Sequence, residues 1–266
     1  MDVLTFDDEY TLDDFDMKNM QGNEQEMFGS ISSKTVKIPG KKGLYDFGNE
    51  VGSFSEKFPV IVLAKTEVER SYKIRAFKQF ILDEFGYPRI VKIQKSLEPD
   101  VYYWGKIAVA PVPKLYSTAA TFILEIVSLD GMKYSNVSAD EIFWGSKKIS
   151  FQAGYRLGNT GTGANALKIV SNTSINSFIE GSAVKPEITI VGTGTNVKIT
   201  CGNRVISVGT FSNQTIKIDT EMFVAYFNGS EKIIEMDDFY IMPNQKNVVT
   251  GTNMNFSLTI KYRDVL

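Results

Sequence analysis

The chain contains no histidine. That absence removes Ser-His-Asp and Cys-His nucleophile pairs, HExxH zinc sites and any imidazole general base. Cysteine occurs once, at Cys201. An intrachain disulfide, CxxC redox chemistry and a cysteine-built zinc site are excluded with it. Long apolar runs are missing too. Stretches such as Val60 to Ala64 end after five residues, whereas a membrane-spanning helix needs about 20. The opening MDVLTFDDEY has no basic n-region and no apolar h-region, so no secretory signal is read and synthesis in the cytoplasm of the producing cell is expected. A net charge of −2 excludes a polybasic nucleic-acid or membrane-surface binder.

What is present can build a core. Of 266 residues, 43% are hydrophobic and 23% charged, with 21 glycines and 8 prolines; that suits one large or two ordinary folded domains. Charge is unevenly placed. Residues 1–26 hold Asp2, Asp7, Asp8, Glu9, Asp13, Asp14, Asp16, Glu24 and Glu26 against the single base Lys18, so the remainder is net basic. Two readings stand for this stretch. It is a solvated, partly mobile terminus, or an arm laid on a basic surface of a neighbouring subunit.

One segment has helical periodicity. In VERSYKIRAFKQFILDEFGYP, Ile74, Phe77, Ile81 and Phe85 recur at three- and four-residue steps. With Ser71 as cap, Gly86 at C′ and Pro88 beyond, the expected helix covers 71–85. Nearly everything else alternates like strand. Val101 to Ala110 and Thr121 to Leu129 are β-branched and aromatic, and Val36 and Ile38 alternate with lysines. In the C-terminal half Ile188/Ile190, Val197/Ile199/Cys201, Ile216/Ile218 and Phe256/Leu258/Ile260/Tyr262 alternate with polar residues, the mark of a sheet with one buried face. Asn228-Gly229 signals a tight hairpin. The stretches 158–165 and 192–196, rich in Gly, Asn and Thr, are read as separators between short strands of an antiparallel sandwich. A boundary near Gly131–Ala139 divides the chain into expected domains 1–135 and 136–266. The expected fold is mainly β with one helix.

No constellation carries chemistry. No pair of the 31 carboxylates is singled out for glycoside hydrolysis. Asp237-Asp238 and Asp7-Asp8-Glu9 lack the spacing of a preformed calcium loop. Gly40-Lys-Lys-Gly43 and the glycines at 158–163 do not match a phosphate loop. Tyr102-Tyr103-Trp104 and Phe143-Trp144 could offer Trp104 and Trp144 as a sugar-stacking platform. Adjacent strand residues point to opposite faces, however, so packing is the preferred reading. Cys201 shares the alternating face of Val197 and Ile199, as a small buried hydrophobe does. No catalytic residue, metal site or cofactor is expected.

The order of segments says more. IPGKKGLYDFGNEVGS at 38–53 resembles the "PGr-G-yD-g" turn near the start of siphophage distal tail (Dit) proteins. It is followed by a strand of the type FPVIVLA, a single helix IRAFKQFILDEF, a strand pair ending PDVYYWGKIAVAP, and TFILEIVSLDGMKYS. The family's usual Asp-Pro-aromatic ending is here Asp130-Gly131-Met132-Lys133-Tyr134. VKPEITIVGTG, TIKIDTEMFVAYFNG and FYIMPNQKNVV are similar to later family segments, with Asn244 where the family usually has Gly. The likeness covers roughly 36–266.

The resemblance implies a phage, prophage or tailocin-like tail-tip and baseplate component. It implies an N-terminal ring (belt) domain of α+β type, closing as a homohexamer, and a C-terminal galectin-like antiparallel β-sandwich facing outward. Such a ring joins the tail tube protein to a tail-associated lysin, fibre or hub protein and, where a baseplate exists, to receptor-binding proteins. Double-stranded DNA passes through its lumen without specific binding, and some of the acids in 1–26 are expected near that lumen or a subunit seam. No enzyme activity and no membrane partner are implied, and the expected location is the distal end of the tail in the virion. Gly40, Gly43, Tyr45, Ile74 and Phe77 are the ring-interface candidates by position; the plain alternative makes the glycines hairpin residues only. True galectins need a histidine, so no lectin activity is expected. The rival reading is a carbohydrate-binding β-sandwich module of a tail or cell-surface protein. The last strand, 256–263, is expected to stay in the sandwich.

Overall fold

The computed structural model describes residues 3–27, 29–142, 165–177 and 179–266. The chain forms two compact units, Met1–Lys133 and Tyr134–Leu266. Phe143, Trp144 and most of the glycine-rich stretch at 158–165 lie outside the described residues.

The first unit contains β1 (Leu4–Phe6), β2 (Tyr10–Thr11), β3 (Met17–Asn19), β4 (Glu24–Gln25), β5 (Ile31–Val36), β6 (Tyr45–Val51) and β7 (Phe54–Leu63). Helix α1 (Glu67–Ile81), β8 (Val91–Lys95), β9 (Glu98–Ile107), β10 (Lys114–Leu115) and β11 (Ala119–Ser128) follow. The main sheet runs β2-β1-β8-β9-β11-β7-β3. Its spine is the antiparallel pair β7–β11, in register from Leu63–Ala119 to Phe54–Ser128. Strict alternation on β7 sends Phe54, Phe58, Val60 and Val62 inward, where they meet Leu124, Ile126, Ile93 and Tyr103 in one core.

The acidic N-terminus is part of this sheet, which corrects the reading as a solvated arm. Leu4, Phe6, Leu12 and Met17 are buried, and β1 and β3 pair with β8 and β7. Four of its acids face cations of the same unit: Asp7–Arg89 at 3.2 Å, Asp8–Lys92 at 2.7 Å, Asp16–Lys73 at 3.2 Å and Glu24–Lys57 at 3.7 Å. Apolar residues spaced between the acids decide the fold here; the acids lie on the wet face.

Among the described residues α1 is the one α-helix. It begins and ends four residues earlier than its apolar spacing suggests. Thr66 caps it by accepting from the Glu69 amide at 3.1 Å, while Glu69 accepts from the Lys65 amide at 2.8 Å. This near-reciprocal cap defines the start, and Ser71 lies within the helix. Leu82 is already extended. Gly86, at φ +82°, belongs to a turn that follows, with Asp83 accepting from the amides of Phe85 and Tyr87. Phe85 is therefore exposed, off the helix. Phe77 carries the packing, at ring distances of 5.4 Å to Phe15 and 6.3 Å to Phe122.

The second unit contains β12 (Tyr134–Ser135), β13 (Leu167–Ile169), β14 (Thr173–Asn176), β15 (Glu187–Cys201), β16 (Arg204–Asp219), β17 (Val224–Phe227), β18 (Ser230–Lys232), β19 (Glu235–Met236) and β20 (Lys246–Lys261). The order is β13-β20-β15-β16-β17-β18, with β14 also on β20 and β19 also on β16. The stretch 192–196 does not separate strands. It lies inside β15, whose register shifts at Gly192, Gly194 and Val197 against its neighbours. Left-handed asparagines mark the same level in three strands: Asn196 (φ 51°), Asn213 (φ 49°) and Asn253 (φ 49°). Bulges bend long strands so that one sheet can close over its own core. Inward residues accordingly change parity, from Ile188 and Ile190 to Val197, Ile199 and Cys201. Gly192 is required at its bulge, because a Cβ there would lie 2.4 Å from the Asn255 carbonyl oxygen. The last long strand, β20, pairs with β13, β14 and β15 and stays in this unit. Asn228 and Gly229, both at positive φ, make the β17–β18 turn.

Candidate assembly surface

Among the described residues, strands β5 and β6 pair only with each other. Their register places Ile31 opposite Val51, Ser33 opposite Asn49, and Val36 opposite Tyr45, with a shift between Ser33 and Thr35. Partners across a ladder share a face. The shift sets two residues of β6, Phe47 and Gly48, against Lys34 alone, so β5 keeps its alternation. Ile31, Ser33 and Thr35 lie on one face with Val51, Asn49 and Asp46; Ser32, Lys34 and Val36 lie on the other with Glu50 and Tyr45, where Lys34 pairs with Glu50. Ile31, Val36, Tyr45, Phe47 and Val51 are all exposed, Phe47 most of all at 69%. At the tip, Gly40 and Gly43 adopt φ of +83° and +91° with open space beside them. Lys41 donates to the Tyr45 hydroxyl at 2.7 Å. The base is held firmly. A Cβ on Gly131 would lie 2.0 Å from the Gly52 carbonyl oxygen, so the segment leaving the unit presses directly on the foot of the hairpin.

A second feature of the same unit is an apolar cleft of about 480 Å³ beside α1, lined by Ile74, Phe77, Ile81, Ile107, Pro111 and Phe122 among others. Its outer wall is the segment 108–113, where Val109 and Val112 are exposed. Arg70, buried in the helix, donates to the carbonyls of Tyr116 and Ser117 and holds the far end of that wall against α1. The interface candidates thus fall in two places. Gly40, Gly43 and Tyr45 are on the hairpin, and Ile74 and Phe77 line the cleft.

Beneath the hairpin's foot is a charge network that the sequence pattern did not single out. Glu56, 1% exposed, lies 3.0 Å from Lys95 Nζ and 3.4 Å from Lys133 Nζ, and accepts from the Tyr103 hydroxyl at 3.0 Å. Glu98 closes it at 3.2 Å from Lys95 and 2.7 Å from Lys133. Burial pushes the Lys95 ammonium down, but the charges of Glu56 and Glu98 outweigh it and hold the group above the usual lysine range. Burial likewise pushes Glu98 up, and the Lys133 hydrogen bond and the two lysine charges more than offset it, so the carboxyl is held low. The available signal was phase: Glu56 falls on the inward register of Phe54 and Phe58.

Trp104 is 43% exposed on the outer face of β9 beside Tyr102, at 6.1 Å ring to ring, while Tyr103 points into the core. Trp144, the other half of the sugar platform, lies outside the described residues. Asp237 accepts from the Val205 amide at 2.8 Å and Asp238 pairs with Lys185 at 3.0 Å. Cys201 is fully buried.

No family model matches the chain, and no curated protein matches it. Among solved structures it is similar to the Dit protein of phage SPP1, described as a paradigm of the hub adsorption apparatus in phages infecting Gram-positive bacteria. The identity is 14%, the TM-score 0.67, and 99% of each chain is covered. The baseplate of phage p2 in its activated conformation, with calcium or with strontium, also aligns over 98% of each chain at 10% identity, with TM-scores of 0.38 and 0.36. The chain therefore has the fold of the SPP1 Dit protein from end to end, mainly β with a single helix in the described residues.

Proposed function

We propose that this chain is a structural hub protein at the distal end of a phage tail, and that it works by assembly instead of chemistry. Six copies close a ring through their N-terminal units. The ring joins the tail tube to the tail-tip fibre, lysin or hub, and to receptor-binding proteins where a baseplate exists. The C-terminal unit is a galectin-like sandwich turned outward, without lectin activity. The observation that carries this reading is the end-to-end fold likeness to the SPP1 Dit protein.

Physical arguments support it. A ring needs a heterologous interface, with two different patches on each copy. The first unit offers both a hairpin with exposed apolar side chains and an apolar cleft. A conduit for DNA must not hold phosphates, and each lysine contact would add sequence-independent affinity; a lumen without a surplus of lysine lets the duplex slide. In light scattering the purified chain is expected at six or twelve times its 29.7 kDa mass. Electron microscopy of particles is expected to place it in sixfold density at the tail tip. A monomer at every concentration, or no such density, overturns the reading.

A further inference from the structure

The ring reading does not say what engagement of the hairpin does to the rest of the chain, and this inference rests on that reading for the engaging event alone. The segment 128–133, by which the chain leaves the first unit, is tied down at three points. Asp130 accepts from the Ser128 hydroxyl at 2.8 Å and from the Met132 amide at 3.2 Å. Gly131, at φ +67°, lies so close to the end of the hairpin that a Cβ would overlap the Gly52 carbonyl oxygen. Lys133 reaches Glu98 at 2.7 Å and Glu56 at 3.4 Å, with its ammonium 6.0 Å from the centre of the Phe54 ring. On the hairpin side, Gly52 follows β6 directly, and its amide donates to the Ser30 carbonyl at 2.6 Å. A Cβ on Gly29, just before β5, would overlap the same Gly52 carbonyl oxygen. That carbonyl is thus held between the chain entering the hairpin and the chain leaving the unit. The contacts keep step: Gly131 meets Gly52, and two residues on, Lys133 meets Phe54 and then Glu56.

Close-packed contacts switch between discrete arrangements and do not yield smoothly. At this joint no side chain stands between the two backbones to absorb a displacement, because both contact residues are glycine. Beyond it the hairpin pairs only with itself among the described residues, so the hairpin is a lever and Gly52 its pivot. We propose that the hairpin and the exit segment form one coupled element. Whatever fixes the hairpin also orders 128–133, and so sets the start of the chain that leads to the second unit. Lys133 is the positioning residue, latching the exit segment onto Glu56 and Glu98. Coupling of this kind is reciprocal, so loosening the exit segment loosens the foot of the hairpin.

The test is hydrogen exchange on the full chain, dilute and assembled, in wild type, Gly131→Ala and Lys133→Gln. In dilute protein the amides of Ser30 and Gly52 report the foot of the hairpin. In either variant they are expected to exchange roughly five- to tenfold faster than in wild type, with the amides of β11 unchanged. On assembly, the wild-type amides of 129–133 are expected to gain protection together with those of 31–36 and 45–51. In Lys133→Gln the hairpin should still gain protection and 129–133 should not, while Lys133→Arg, which keeps the charge, should restore the wild-type pattern. A variant that only lowers the melting midpoint and keeps the wild-type difference between the two states overturns the inference. So does an exit segment that stays unchanged while the hairpin becomes protected; the ring reading then stands. A wild-type chain that never assembles overturns the ring reading, and the foot amides in dilute protein still decide the coupling.

Discussion

Glu56 lies in phase with Phe54, Phe58 and Val60 on β7, so the pleat that buries them buries a carboxylate too. Two lysines and a tyrosine hydroxyl satisfy it. Such a network contributes little net stability against an apolar core, but cutting it is costly, because Lys95 and Lys133 are then left to share Glu98. Glu56→Ala is therefore expected to lower the unfolding free energy of the first unit by about 1–3 kcal/mol, read by urea denaturation with Trp104 fluorescence. A loss within the range of ordinary surface substitutions would mean that water reaches the network. Its pH dependence follows from Glu98. A carboxyl held below its unfolded value of 4.5 contributes stability above that pH and loses it as pH falls through the lower folded value. Lys95, held above 10.5, acts in the opposite sense at the alkaline end. The melting difference between wild type and Glu98→Gln should hold steady from neutrality to about pH 5 and shrink below it. A difference that grows on acidification would reverse the assigned sign.

The β5–β6 hairpin and the β7–β11 pair are both antiparallel ladders, yet only the second is covered on a face by core. Opening a covered ladder exposes apolar surface and opening the hairpin exposes almost none, so their local stabilities should differ widely. In dilute, unassembled protein the amides of 31–36 and 45–51 are expected to exchange hydrogen far faster than those of β7 and β11. On assembly the hairpin should gain protection and β7 should change little. Equal protection in both states would mean that the ribbon is stabilised within its own chain. The alternation of the hairpin was legible in part, as Val36 and Ile38 between lysines. That its apolar side chains stand exposed was not, because alternation reports a two-faced strand and not what meets each face. The α1 boundary was misplaced for a similar reason. Apolar spacing fixes which face packs, whereas Thr66 and Glu69 fix where the helix starts, and Gly86-Pro88 served a later turn.

At the scale of the whole chain, alternation identified β15, β16 and β20 but not their length: the stretch 192–196 read as a separator, whereas Gly192 and Asn196, with Asn213 and Asn253, bend continuous strands. What the sequence pattern could not weigh was how three neighbouring bulges at one level let a sheet fold over its own core. The result is two cores with no residue in common, one from Leu4 to Ile126 and one from Ala139 to Tyr262. A unit with its own core can fold alone. Hairpin and cleft both belong to the first unit, so assembly should reside there entirely. Residues 134–266 produced alone are expected to melt cooperatively and remain monomeric by light scattering at concentrations where the full chain forms rings. Were that fragment to assemble by itself, the second unit would own a ring interface, and the division of labour between the two cores would be wrong.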